Sequence, residues 1–386
     1  MSIASHLALK EIWRNRSRFL LFSLVIALIT LLILFVAALG EGLGAGNREY
    51  IEKLNAELLV YQDTAQLQIP SSQLPVTKLR EVRNVAGVRS VGPIGFAAVF
   101  IPIGDAGDKL NVALIGVEPG LPGAPPAYAG SPLKRRSADE CLIDETIAES
   151  LDLSPGDEVP IRTVQEGEEE FYTLRVVGIT DSRKYGIRPG LFVPYATWDR
   201  IRAQMMAFEG DAELRANVLA VALEDSAQAE QVTALMLSEV RRIAVADLQT
   251  AYEKVPGYVE QQSTLTTQQT FALLIGLLVI GGFFQIQTLQ KVPQIGMLKA
   301  LGTPNGTIAA MIMIQILMVT LIGVIIGAAV TLALSLVFPP NIPIIFTPRS
   351  VALALATIMV IGPVGGLLSI RYALQVEPLT ALGLSN

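Results

Sequence analysis

The chain has 386 residues, 51% of them apolar and only 17% charged, with a mean hydropathy of +0.49 and a formal net charge of −6. Soluble domains carry about 25% charged residues, so this balance excludes an ordinary water-soluble protein, and the negative sign gives no footing for nucleic-acid binding. A single cysteine, Cys141, excludes an intramolecular disulfide.

Taken in chain order, residues 1–18 ("MSIASHLALKEIWRNRSR") set Ile3, Leu7, Ile12 and Trp13 among Lys10, Arg14, Arg16 and Arg18. That pattern suits an amphipathic helix on the inner leaflet with Trp13 at headgroup level, or a plain basic flank that sets topology. Residues 19–40 carry no charge. A helix needs about 20 apolar residues to cross a bilayer, whereas a cleavable signal core has about 7–15. The segment therefore reads as a retained first span. Residues 41–60 have helical spacing at Ile51, Leu54 and Leu58 and read as a stalk extending that span.

Residues 61–244 read as an α/β domain. "VRSVGPIGFAAVFIPI", "KLNVALIGVEP" and "EEEFYTLRVVGITD" have strand character. "DECLIDETIAESLDLSPGDEVPI" reads as strand, helix, turn, strand, with Asp144 as helix N-cap and Ser154-Pro155-Gly156-Asp157 as the turn. "YGIRPG" is a turn leading into "LFVPYATW", and "VTALMLSEVRRI" is a helix. "VADLQTAYEKVPGYVEQQ" reads as helix and opens a second stalk over 245–268. A second span follows at 269–290, a polar interruption at 291–307, a third span at 308–337, a re-entry loop at 338–349 ("FPPNIPIIFTP") and a fourth span at 350–371. Pro363 within "GPVGG" predicts a kink in that last span, because proline removes one helix hydrogen bond; 372–386 is a tail. The predicted fold class is a polytopic α-helical membrane protein with four transmembrane helices and one large extracytoplasmic α/β domain between the first and second.

Charge sets the expected orientation. Residues 41–260 hold 21 basic and 33 acidic residues, a net of −12, whereas the short flanks and the 291–299 loop are basic. Short basic flanks stay inside, which puts both termini and 291–307 in the cytoplasm and 41–260 outside.

No catalytic signature is present. The only histidine is His6, so no histidine-based triad or metal site exists outside. The acidic run Glu166, Glu168, Glu169, Glu170 and the basic trio Lys134, Arg135, Arg136 read as solvated loops. No G-x-x-x-x-G-K-[ST] is present, so the chain has no phosphate cradle of its own. Apart from Arg371 at the very end of the fourth, the spans carry no charged residue, which argues against an ion channel or a proton-coupled carrier. Thr30, Gln285, Gln287, Gln315 and Thr320 suit hydrogen bonds between helices, and Gly323 with Gly327 forms a small-xxx-small pair suited to dimer packing.

The interruption "QKVPQIGMLKALGTPNGTI" carries only Lys291 and Lys299. Pro293 can start a helix. Ile295, Leu298 and Leu301 then fall on one side with Met297 nearby, and Gly302 and "TPNG" end it. A short helix with an apolar face held beneath a membrane suits a groove on a cytoplasmic partner; the plainer alternative is a tight interfacial loop.

"QIGMLKALGTPNGTIAAMIMIQ" directly after a span resembles the "EIG-x-L-[KR]-A-x-G" loop of ABC transporter permeases of the MacB/FtsX/LolC type. "LALKEIWRNRSRFLL", "CLIDETIAESLDLSPGDEVPI…LRVVGI" and "RYALQVEPLTALG" are similar to that family's opening, extracytoplasmic domain and closing segment, in the same order along nearly the whole chain. The resemblance implies a permease without its own ATPase site, paired with a second permease copy and two copies of a cytoplasmic ABC ATPase that binds the ATP and Mg. It also implies lipid contact and a membrane-fusion or adaptor protein as a further partner. Pro293, Gln294, Ile295, Gly296, Met297, Leu298, Lys299, Ala300, Leu301 and Gly302 would form the ATPase-coupling helix. The family's usual acid is Gln294 here and its basic pairs are thinned, so coupling would rest on apolar packing. Family cargos include lipids, lipoproteins, peptides, hydrophobic drugs and haem; an FtsX-like regulator of an extracytoplasmic enzyme is the alternative. For haem, no histidine lies outside, which leaves Tyr50, Tyr258 or methionines as candidate axial ligands.

Overall fold

The structure, a computed structural model, describes residues 10, 13, 16–103, 108–165, 168–205, 215–337 and 344–375. Most of the amphipathic opening, Glu166, residues 338–343 of the re-entry loop and the closing Pro378–Leu382 lie outside the described residues. The chain divides into two compact units, one made of residues up to Leu43 with those from Gln261, the other of Gly44–Glu260.

The helices are α1 (Arg16–Glu52), α2 (Thr77–Arg83), α3 (Glu145–Leu151), α4 (Tyr195–Met205), α5 (Ala229–Glu239), α6 (Leu248–Glu253), α7 (Tyr258–Gln290), α8 (Val292–Ala300), α9 (Asn305–Ser335) and α10 (Pro348–Gln375). The strands are β1 (Leu58–Gln62), β2 (Leu74–Pro75), β3 (Val88–Ile103), β4 (Asp108–Val117), β5 (Ala129–Gly130), β6 (Glu140–Asp144), β7 (Glu158–Gln165), β8 (Glu168–Thr180), β9 (Gly190–Pro194), β10 (Arg215–Ala216), β11 (Val218–Leu223) and β12 (Ile243–Asp247).

In the first unit, α1, α7, α9 and α10 are each long and apolar enough to cross a membrane. Large apolar side chains such as Leu24, Leu28, Leu278, Ile325 and Leu368 stay exposed on them, as lipid-facing positions require. Inward residues form two clusters, one around Phe19, Ile280, Phe284, Ile312 and Ile316, the other around Ile33, Leu34, Val324 and Ile358. Glycines set how closely the helices approach. A Cβ on Gly281 would lie 2.9 Å from the Gly365 carbonyl oxygen, and α10 continues as helix through Pro363. Polar groups inside the unit are satisfied only in part: the Ser369 hydroxyl bonds the Thr288 hydroxyl and donates to the Phe284 carbonyl at 2.8 Å, whereas Gln285 Oε1 and Thr320 Oγ1, expected to bond between helices, have no hydrogen-bond partner among the described residues.

The second unit is built on a mixed sheet in the order β12-β1-β11-β3-β4-β9-β6-β8-β5, with β7 pairing both β3 and β8. Its central strands are apolar on both faces, and their alternation feeds two separate cores. On β1, Leu58 and Val60 enter one core while Leu59 and Tyr61 enter the other; on β9, Leu191 and Val193 oppose Phe192. Val82 of α2, Ile147 of α3, Ile201 of α4 and Met236 of α5 cover the first face. Tyr50 and Ile51 of α1 and Ala251 of α6 cover the second.

Two stalk boundaries differ from the sequence reading. Residues 41–60 do not form one helix: α1 ends at Glu52, and Leu58 opens a central strand. The 245–268 segment begins as β12, forms the short helix α6, and becomes α7 only at Tyr258, beyond Pro256 and Gly257 (φ +81°). Asp144 is the N-cap, accepting from Thr146 N–H at 2.7 Å, and the 154–157 turn closes by Asp157 N–H donating to the Ser154 carbonyl at 3.1 Å.

Candidate coupling helix and outer joint

Lys291 alone separates α7 from α8, and Pro293 sits in the first helical turn, where its missing N–H costs nothing. The C-terminal end is a Schellman motif: Thr303 N–H donates to the Leu298 carbonyl and Gly302 N–H to the Lys299 carbonyl, both at 3.0 Å, with Gly302 at φ +85°.

The structure divides the predicted coupling residues between two faces. Ile295 is 1% exposed and belongs to the buried cluster of the membrane unit with Phe19, Ile308 and Ile312; Gly296 is buried beside it in sequence. Leu298 and Lys299 are half-buried, whereas Pro293, Gln294, Ala300 and Gly302 are exposed. Met297 is 54% and Leu301 79% exposed. The Ile295–Leu298–Leu301 face expected from periodicity is thus corrected. Ile295 is taken up by the bundle, and the presented apolar surface runs Pro293, Met297, Ala300, Leu301. Both cations of the segment turn inward as well. Lys291 Nζ donates to Gln315 Oε1 at 3.1 Å and lies 5.6 Å from the Phe19 ring centroid. Lys299 Nζ donates to the Leu374 carbonyl at 2.7 Å, near the C-terminal end of α10 where a cation is favoured. The exposed face of α8 is left uncharged.

Gly323 and Gly327 do not present a dimer face. A Cβ on Gly323 would lie 2.6 Å from Ile26 Cβ and 2.8 Å from the Ser23 carbonyl oxygen, and one on Gly327 would lie 2.6 Å from the Ala27 carbonyl oxygen. These small residues let α9 close on α1 of the same chain, a seam also marked by Ser23 Oγ donating to the Val319 carbonyl at 3.3 Å.

In the second unit, sequence reading missed a joint between the outer end of α1 and the segment 181–188. Tyr50 N–H donates to the Lys184 carbonyl at 3.1 Å and the Gly46 carbonyl accepts from Ile187 N–H at 2.9 Å. Glu49 accepts from Ser182 Oγ at 2.7 Å, Lys53 pairs with Asp181 at 2.9 Å, and Arg183 Nη1 donates to the Lys53 carbonyl at 2.7 Å. Burial would raise the Asp181 carboxyl, but hydrogen bonds from Lys53 and Arg183 outweigh it and hold the group below its ordinary value. Asp144 goes the other way: burial lifts it despite the N–H groups of Arg183 and Thr146. Beyond Lys53 the chain stays pinned, with Glu57 accepting from Leu223 N–H at 2.8 Å and from Ser226 Oγ at 3.0 Å. Partners lying more than 100 residues apart leave no local signal in the sequence.

Among the described residues no cluster of three histidine, cysteine or acidic side chains could hold a metal. Tyr50 is buried, edge-on to Tyr185 at 6.3 Å between ring centroids, and Tyr258 packs on Tyr252 at 5.8 Å, so Tyr50 is not an accessible haem ligand. Cys141 is buried, and burial pushes its thiol up and away from reactivity.

Four helices long and apolar enough to cross a membrane, an α/β domain inserted between the first two and a short helix with an uncharged exposed face between the second and third define a polytopic membrane protein. The family model for the MacB-like periplasmic core domain matches residues 19–238, more than half of the chain, and that for the FtsX-like permease C-terminal domain matches 269–378. The chain belongs to this FtsX-like permease family. A putative hemin transport system permease protein HrtB of Staphylococcus haemolyticus is 25% identical over 378 residues, 98% of this chain and 99% of that protein. A macrolide export ATP-binding/permease protein MacB of Paracoccus denitrificans is 29% identical over 229 residues, 54% of this chain and 32% of that protein. The crystal structure of the periplasmic region of MacB from Actinobacillus actinomycetemcomitans aligns with a TM-score of 0.36 at 15% identity, covering 55% of this chain and 94% of that one. The chain is accordingly a membrane protein, the permease of an ATP-driven transporter whose ATPase is a separate partner, and the regulator alternative is not favoured.

Proposed function

We propose that two copies of this chain in a bacterial plasma membrane, each with its termini and α8 in the cytoplasm, work with two copies of a cytoplasmic ABC ATPase that holds the ATP and Mg. The chain itself catalyses nothing. ATP-driven movement enters at α8 and leaves through α1 and α7 to the extracytoplasmic α/β domain, which handles an amphipathic cargo: a lipid, lipoprotein, peptide, drug or haem. The full-length staphylococcal relative, named for hemin transport, favours haemin among these. A membrane-fusion or adaptor protein is a further partner.

The single observation that carries this reading is the division of α8: Ile295 and Lys299 are anchored to the spans, while Met297 and Leu301 form an exposed, uncharged apolar face. Co-purification of the ATPase with wild type and with Leu301→Asp tests it. Loss of the ATPase with normal membrane insertion is the expected result, and retention with unchanged stimulated ATP hydrolysis refutes it.

A further inference from the structure

A cavity of about 370 Å³ opens in the α/β unit, lined in part by Arg188, Arg215, Trp198, Phe96 and Ala98. Its electrostatics run against its surroundings. Residues 41–260 carry a net charge of −12, yet among the described residues the lining of this cavity has two arginines and no acid. Arg188 has no acidic partner among the described residues, and Arg215 Nη1 donates to Gln73 Oε1 at 3.3 Å. A guanidinium offers a planar fork of donors that matches a carboxylate or phosphate.

The apolar wall is built with equal care. Gly95 and Gly116 lie directly opposite each other on β3 and β4, and a Cβ on either would run into Trp198. Two residues without side chains thus seat the indole flat on the sheet. Asn217 fixes the polar rim: its amide donates to the carbonyls of Ile69 and Ser72 at 3.1 and 3.0 Å, and its Oδ1 accepts from Phe96 N–H at 2.7 Å. Walls held this way need little ordering when a ligand arrives, and the volume falls in the range of about 300–1,000 Å³ typical of ligand sites. Arg188 also adjoins Ile187, whose N–H is bonded to Gly46 of α1, so one peptide separates the cavity from the outer end of that helix.

We propose that this cavity is a binding site for an anionic amphiphile, with Arg188 and Arg215 taking the carboxylate or phosphate head and Trp198, Phe96 and Ala98 the apolar body. Its service as a cargo site rests on the permease reading above; the binding does not. Two cargos share this chemistry, a fatty-acid-like lipid and haemin with its propionates, and the experiment separates them.

The chain has two tryptophans, Trp13 and Trp198, so Trp13→Phe leaves Trp198 as the only indole. That full-length variant, in lipid nanodiscs without the ATPase, is titrated with decanoate, with decanol and with haemin, following Trp198 emission and, for haemin, the Soret band. The expected result is saturable binding of decanoate or haemin, whichever is the cargo type, with decanol at least tenfold weaker than decanoate if the lipid binds. Arg188→Gln should weaken the binding acid at least tenfold and Arg188→Lys by no more than about threefold. Should Arg188→Gln lower the melting temperature markedly, Ala98→Phe, which fills the cavity, must abolish binding in its place. No saturable signal with either acid, decanol binding as well as decanoate, or unchanged affinity in Arg188→Gln and Ala98→Phe overturns the proposal. The ATPase co-purification assay of Leu301→Asp reads a different property, so either idea can fail alone.

Discussion

Lys299 and Leu374, 75 residues apart, are joined by an ammonium-to-carbonyl hydrogen bond of 2.7 Å. The bond fastens α8 to α10, while Lys291 makes α8 nearly continuous with α7. A force applied to α8 is therefore delivered to two spans together. Hydrogen bonds to charged groups contribute about 1.5–3 kcal/mol. Lys299→Met should keep the ATPase bound, since the exposed face is untouched, but lower transport-coupled ATP hydrolysis several-fold. An unchanged stimulated rate in reconstituted complex would show that this bond carries no coupling.

Three aspartate substitutions within six residues of one another should fail in two different ways. Leu301→Asp and Met297→Asp place a charge on the exposed face and should weaken ATPase association at least tenfold, equivalent to about 1.4 kcal/mol or more, with normal melting of the permease. Ile295→Asp puts an unpaired charge in the buried cluster and should lower the melting temperature and the yield of inserted protein. Identical behaviour of the two classes in melting and pull-down would contradict the division of faces.

Gly327→Leu should destabilise the single chain. The added side chain meets the Ala27 carbonyl and Thr30, forcing α1 and α9 apart. The observable is a lower melting temperature in detergent at every protein concentration, including those where the chain is monomeric. A loss confined to the dimer would instead restore these glycines to an interface between copies.

The outer joint should loosen in acid. Asp181 is held below its ordinary value, so its contribution is present above the unfolded value of about 3.9 and is lost as pH falls through the lower folded one. Asp144, lifted by burial, has the opposite sign: its contribution is full at low pH and declines as pH rises through the raised value. Asp181→Asn should therefore flatten the acid side of the melting-temperature profile below about pH 5 without steepening the neutral side. Parallel profiles for wild type and variant would exclude this role.

Four spans were legible because charge-free runs long enough to cross a bilayer have few other uses, and the Asp144 cap and the 154–157 turn because their signals are local. What stayed hidden depended on neighbours remote in sequence. Leu58 to Tyr61 form a run of apolar residues whose spacing from Ile51 and Leu54 also fits a helix; only the two cores on either side of β1 distinguish the cases. Gly323 and Gly327 announce a close helix contact without naming the helix. Periodicity placed Ile295 and Leu301 together, but a helix pressed against a bundle gives up part of its apolar stripe to that bundle. The 181–188 joint and the Gly95–Gly116 seat for Trp198 needed the tertiary pairing itself.

The stretch Lys53–Glu57, between the end of α1 and the start of β1, has no slack in it: Lys53 is tied to Asp181, Leu54 is buried, and Glu57 holds Leu223 and Ser226. In the coupling proposed above it acts as a tow-bar and not as a rope, passing push as well as pull from helix to sheet. A few flexible residues spliced in there would let the engine turn while the load stood still.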